Sequence, residues 1–366
     1  MAEKKTLEEE LHNNINGHEV ILSEGQSFDK NKCNSVVSFA DAAALCQYTY
    51  ASNPLYPFGH VIYKSKTGSW FPYEVDDSSH SKWTKFRNGV SGMLGNGAFL
   101  GYSGNENDDL TSTIGQQKNI ETNLNYSSFD FFGLLGSRIE SKSMDADELF
   151  SVLKGRLKRT RTGFRSMIFY KKNAAGNKID KIVYVTEGSK GGMNVFGGGI
   201  RGMADWFGDW ILSNASQGVS GLSPQHTLSI QNAKILDKIC ASKNIELCFV
   251  GHSLGGGLAT SNAIATNRPA VVFDMAGIHG FRRLRYNKIH SMELGKELIN
   301  FYIKGEFLSV KGYEIVGPNH IKQSVEIDYK GSEKYSPFVL HNFIFFCKYF
   351  ELERMEGNYN VKEYGL

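Results

Sequence analysis

Hydrophobic positions change character near residue 160. Ahead of that point one stretch has a clear period: residues 36–50 (VVSFADAAALCQYTY) set apolar and small side chains at helical spacing, and Asn53, Pro54 and Pro57 then stop the helix. Aromatic runs between 59 and 100, such as HVIYKS and SWFPYEV, are interrupted by Gly and Ser and predict short strands and loops. Residues 1–34 read as a polar leader and 35–160 as an N-terminal region packed on the remainder. Beyond 160 the pattern sharpens. GFRSMIFYKK (163–172) and KIVYVTEG (181–188), joined by Asn173-Ala174-Ala175-Gly176-Asn177, predict a hairpin. Residues 226–241 carry Leu228, Ile235, Leu236 and Ile239 at helical spacing. ELCFV, AVVFDMAG and LINFYIKGE are short, nearly unbroken apolar runs, the texture of strands covered on both faces. YEIVG and SVEIDYK predict a second hairpin, and SPFVLHNFIFF sets His341 between an extended segment and an aromatic helix. Strand and helix alternate through 161–366, which predicts an α/β fold with a mostly parallel central sheet and helices on both faces.

Charge and cysteine content narrow the function classes. The 366 residues carry 41 Lys+Arg against 38 Asp+Glu, a balance too even to argue for nucleic acid. The charge is segregated: acids gather between 105 and 150, while Lys154, Arg156, Lys158, Arg159, Arg161 and Arg165 form a basic run, echoed by FRRLRYNK at 281–288. Two readings of that run stay open, peripheral contact with an anionic lipid surface and a solvated face partnered by the acidic stretch. The cysteines, 33, 46, 240, 248 and 347, are widely spaced and show no metal-ligand spacing, so buried free thiols and no metal are expected. MAEKKTLEEELHNN lacks the apolar core of a signal peptide, and no stretch of 18 uninterrupted apolar residues occurs. Synthesis in the cytoplasm is the expectation, with any export by a route that needs no signal peptide.

The chemistry concentrates in CFVGHSLGGGLA. Gly251-His252-Ser253-Leu254-Gly255 fits G-x-S-x-G, preceded by an apolar strand and followed by a small-residue helix. A sharp strand-to-helix turn leaves no room for side chains at Gly251 and Gly255, exposes the Ser253 hydroxyl, and aims the Leu254 N–H at an oxyanion. Serine is a poor nucleophile without a base, and the base needs an orienting acid. In the order serine, acid, histidine, the ends of the later strands offer Glu306 and then His341, with Asp274 as the alternative acid. His252 sits beside the serine and reads as a packing or hydrogen-bonding residue; His279, His290 and His320 fall in turn-rich or Arg-rich surface segments. The loop TEGSKGG, after the strand at 181–186, offers the Ser189 N–H as the second oxyanion donor.

These residues resemble the class 3 (fungal-type) lipase family of α/β hydrolases. GHSLGG stands at Gly251–Gly256, IVYVTEGS echoes the family's strand and "RGT" oxyanion loop with Glu187 in place of the Arg, Asp205-Trp206 is similar to its "DW" helix start, and FDMAGIHG stands where "FGxPxxG" is usual. The resemblance implies an α/β-hydrolase fold and ester hydrolysis of acyl lipids or phospholipids by Ser253, His341 and Glu306, without a cofactor. By analogy, a bacterial effector phospholipase with an immunity or carrier partner suits a chain of this kind. The apolar, glycine-rich stretch around Met193, Phe196, Trp206 and Trp210 suits a lid or an ordinary buried loop. A catalytically silent scaffold that binds a lipid or protein, and a soluble small-molecule esterase, are the competing readings.

Overall fold

The structure, a computed structural model, describes residues 19–21, 34–52, 61–66, 68–73, 153, 165–188, 224–276, 297–310, 323–355 and 359–366. Its strands are β1 (Glu19–Ile21), β2 (Ile62–Lys64), β3 (Phe71–Pro72), β4 (Ser166–Lys172), β5 (Ile179–Thr186), β6 (Glu246–His252), β7 (Ala270–Phe273), β8 (Leu298–Ile303), β9 (Gln323–Asp328) and β10 (Glu353–Met355). Its α-helices are α1 (Phe39–Ala51), α2 (Pro224–Lys243), α3 (Leu254–Thr266), α4 (Phe307–Val310), α5 (Pro337–Leu340), α6 (Ile344–Tyr349) and α7 (Val361–Tyr364). Among the described residues no helix is long and apolar enough to cross a membrane.

Eight strands form one sheet in the order β1-β9-β8-β7-β6-β5-β4-β3; β10 and β2 make a separate antiparallel pair. From β5 to β9 every pairing is parallel, while β4 and β3 extend one side antiparallel and β1 closes the other side antiparallel to β9. This is the mixed α/β, mostly parallel sheet expected. The apolar runs alternate between two buried faces, which is why they read as continuous. Val183, Val185, Cys248, Val250, Val271 and Phe273 join one core with the residues of α1 and α6. Ile182, Tyr184, Leu247, Phe249, Ala270 and Val272 join a second with Leu236, Ile239 and Ala259 of α2 and α3. Helices therefore cover both faces, as predicted.

Two expectations are corrected, and a third falls on residues that are not described. Residues 19–21, counted with the polar leader, supply β1, because the backbone of β9 has an open side there and pairs Glu19 with Asp328 and Ile21 with Glu326. β9 has β8 and β1 as its neighbours; the other half of the hairpin expected for it, at 313–317, lies outside the described residues. The segment before His341 is the short helix α5, begun by Ser336, whose hydroxyl accepts the Val339 N–H, and by Pro337 in its first turn. The described residues of 34–52, 61–66 and 68–73 share the first core through Val36, Leu45, Tyr63 and Trp70, so this part of the N-terminal region packs against the sheet. Cys46, Cys240, Cys248 and Cys347 are buried free thiols.

Candidate active site

The turn between β6 and α3 carries Ser253 at φ 59° and ψ −129°, a conformation that L-residues seldom adopt. Neighbouring backbone holds it there. The Ser253 N–H donates to the Phe273 carbonyl at 3.1 Å, and the Ser253 carbonyl accepts from Gly257 at 3.2 Å and from Ala276 at 2.9 Å. The glycines are a steric requirement: a Cβ on Gly251 would lie 2.2 Å from the Gly255 carbonyl oxygen, and one on Gly255 the same distance from that of Thr186. The Thr186 hydroxyl then donates to the Gly255 carbonyl at 2.6 Å, fastening the first turn of α3 to the end of β5. Ser253 is half-buried, its side chain makes no capping bond to α3, and Leu254 opens that helix. The hydroxyl is thus not used to cap the helix.

Glu306 and His341 meet. β8 ends at Ile303, Gly305 takes φ 79° to turn the chain, and the Glu306 carboxylate comes within 2.8 Å of His341 Nδ1 while accepting the Leu308 N–H at 2.8 Å. Asp274, just past the end of β7, stands in the same cluster with Oδ2 3.8 Å from His341 Nδ1, beyond hydrogen-bond range. Its other oxygen accepts the Ile303 N–H at 2.8 Å. Burial, and then the charge of Glu306, push the Asp274 carboxyl well above its ordinary range despite that N–H. The two acids are therefore inequivalent: one bonds the imidazole, the other is driven toward its neutral form.

His252 backs this arrangement. Its ring lies 4.7 Å from that of His341, tilted by 32°, with Phe343 edge-on at 5.1 Å. Its Nδ1 is 3.0 Å from the Tyr50 hydroxyl, while Nε2 is buried without a hydrogen bond of good geometry. Burial and the neighbouring His341 depress its pKa well below the ordinary histidine value, and the nearby His341 backbone offsets this only in part, so His252 is neutral. It is a packing and hydrogen-bonding residue, as the sequence suggested. Donor atoms of His252, Asp274 and His341 lie within 4.8 Å of one another, a set able to hold a metal ion on residue type alone. The bond from His341 to Glu306 gives the cluster a hydrolytic reading without one.

The loop expected to supply the second oxyanion donor is described only as far as Gly188, so Ser189 lies outside the described residues, as do Asp205-Trp206, the lid candidate and residues 154–161 of the basic run. Arg165 is the exception, and it corrects that reading: it faces the interior, where it donates to the Glu187 carboxylate at 3.1 Å, to the Ser52 hydroxyl at 2.9 Å and to the Thr49 carbonyl. Sequence reasoning missed this pair and Tyr50. A signal for the pair was present. Ser166 opposes Thr186 in the β4–β5 hairpin, so one register step further places Arg165 opposite Glu187.

The Tle-like phospholipase domain, a phospholipase-like family, matches residues 138–324, just over half of the chain. The chain belongs to the Tle-like phospholipase family. The matched span takes in β4 through β8, Ser253, Asp274 and Glu306; α1, which carries Tyr50, and His341 lie outside it. An extracellular phospholipase A1 of Serratia liquefaciens is 39% identical over 80 residues, 22% of this chain and 24% of that protein. The extracellular lipase LipA of Serratia marcescens aligns with 76% of this chain and 41% of its own at 15% identity, with a TM-score of 0.29, too low to define the fold. This Tle-like chain thus spans less than half the length of each relative. Membership in a lipase and phospholipase group is established; the specific class 3 lipase family of the sequence resemblance is not.

Proposed function

We propose that this chain is an α/β hydrolase that cleaves carboxylic esters of phospholipids and other acyl lipids through Ser253, His341 and Glu306. The observation that carries the reading is the 2.8 Å contact between His341 Nδ1 and Glu306, in a chain that also holds a serine at positive φ on a glycine-flanked elbow. Glu306 holds Nδ1 and leaves Nε2 as the basic face of the ring. His341 takes the Ser253 proton as the hydroxyl attacks the ester carbonyl, then gives it to the departing alcohol. Water activated by the same imidazole releases the fatty acid from the acyl-enzyme. The N–H groups of Leu254 and Ser189 receive the oxyanion. Family membership and the relatives' names favour a lipid ester over a small soluble one.

Incubation of the full chain with mixed phospholipid vesicles, followed by mass spectrometry, is expected to yield free fatty acid and lysolipid. A fluorophosphonate probe is expected to label the protein and to lose that label in Ser253→Ala. A wild-type chain that takes no label and releases no fatty acid is a silent scaffold, and labelling retained in Ser253→Ala removes the serine from the mechanism. Glu306→Gln is expected to lower kcat/KM on the order of 10³-fold, and Asp274→Asn by less than about tenfold. The reverse ranking makes Asp274 the acid, the role its 3.8 Å approach to Nδ1 otherwise leaves secondary.

A further inference from the structure

The last turn of α1 is some 200 residues ahead of the elbow in the chain, yet its Tyr50 hydroxyl joins the elbow to the oxyanion loop. It accepts the Gly188 N–H at 3.0 Å, and it lies 3.0 Å from His252 Nδ1 and 3.4 Å from the His252 carbonyl oxygen. A backbone N–H can only donate, so the hydroxyl accepts from Gly188 and keeps its single proton for His252. Nδ1, at the shorter distance, is the better acceptor. That choice leaves the one ring proton of the neutral imidazole on Nε2 and fixes the plane of a ring that packs 4.7 Å from the ring of His341.

The same helix end grips the preceding residue of the loop. Arg165 binds the Glu187 carboxylate, the Thr49 carbonyl and the Ser52 hydroxyl together. Two successive residues, Glu187 and Gly188, are thereby held by one turn of α1 immediately before Ser189. The fit is close: a Cβ on Gly188 would lie 2.3 Å from the Tyr50 hydroxyl, 2.6 Å from the His252 carbonyl oxygen and 3.2 Å from Ser253 Cβ. A loop seated this tightly passes a small displacement of Tyr50 directly to its donors, and catalysis is sensitive to shifts of that size.

We infer that Tyr50 is a positioning residue of the hydrolase reaction, its hydroxyl setting the oxyanion loop through Gly188 and the general base through His252. The inference rests on the proposed serine-hydrolase reading. It makes α1 part of the catalytic apparatus, although α1 lies outside the segment matched by the family.

The test is Tyr50→Phe, which deletes the hydroxyl and keeps the buried ring. Turnover on phospholipid vesicles is measured per active site titrated with the fluorophosphonate. The expected result is a kcat lowered about 10- to 100-fold with KM unchanged and a matching fall in the rate of fluorophosphonate labelling. Tyr48→Phe, on the same helix but away from the site, is expected to keep wild-type values. A residue that only supports the fold would reduce the number of titratable sites and leave kcat per site unchanged; that outcome overturns the inference. His252→Phe, judged by the same per-site measure, keeps a ring packed against His341 and removes the Nδ1 acceptor. It decides the matter if Tyr50→Phe does not fold: lowered kcat per site supports the inference, and wild-type kcat overturns it. Failure of the underlying reading looks different, with no labelling of the wild-type chain or full turnover in Ser253→Ala.

Discussion

One imidazole faces two carboxyl groups that bond differently: Glu306 meets Nδ1 at 2.8 Å, while Asp274 stands off at 3.8 Å. Asp274 is 1% exposed and already feels Glu306, so ionising it would place a second negative charge in the same dry pocket. Its folded pKa is raised above the ordinary 3.8, so the stability linked to its neutral form is present below that value and is lost as pH rises through the folded one. Asp274→Asn keeps an oxygen for the Ile303 N–H and cannot ionise. It is expected to unfold at higher urea than wild type at about pH 8, with the advantage vanishing near pH 4. Equal midpoints at both values would show that Asp274 is ionised at no cost. Much of this site was legible in the sequence: the elbow by its glycines, and Glu306 and His341 by their order along the chain, which the fold brings into hydrogen-bond contact. Tyr50 was not. A tyrosine at the end of an apolar helix carries no local mark of a partner about two hundred positions away, and only the packing of α1 against β5 and β6 creates the contact.

At the level of elements, backbone proximity decides which substitutions are tolerated. Gly255 sits where β5 and α3 nearly touch, and the atom 2.2 Å from its added Cβ is a carbonyl oxygen within a parallel ladder. Gly255→Ala is expected to cost more than about 3 kcal/mol or to prevent folding, because no flexible side chain is there to yield. Gly176, in the β4–β5 turn at φ 70°, has no heavy atom within 4 Å of an added Cβ. Gly176→Ala is expected to cost only about 1 kcal/mol, from the backbone conformation alone. Thermal melts of the two variants check the contrast. β5 to β8 were readable because each strand buries both faces and so appears as an unbroken apolar run. β1 was not: its three residues, EVI, owe their place to β9, roughly three hundred positions later. α5 was mistaken for extended chain because its four residues are too few to show a helical period.

Across the whole molecule, the first core ties the beginning of the described chain to its end. Asp41 in α1 accepts the Trp70 indole N–H at 3.0 Å and the Ser65 hydroxyl, and Trp70 exchanges backbone hydrogen bonds with Leu366 at 3.2 and 2.9 Å. One buried carboxylate thus joins α1, the approach to β3 and the segment that follows α7. Asp41→Ala leaves two donors without their acceptor and is expected to lower stability by about 2–3 kcal/mol, read from urea denaturation. A loss below about 0.5 kcal/mol would mean that the three segments hold together without it. The mostly parallel sheet and its two covers followed from strand texture, whereas this closure depends on residues with no sequence signature of their own.

The ring packed behind His341 has a spectroscopic consequence. With Nδ1 of His252 accepting from tyrosine, the proton falls to Nε2, an atom buried near Phe343 and Phe346, and is expected to exchange slowly with solvent. Carried on a ring 4.7 Å from that of His341, it forms a built-in magnetic resonance beacon, whose chemical shift is expected to report on the neighbouring ring without any label being attached.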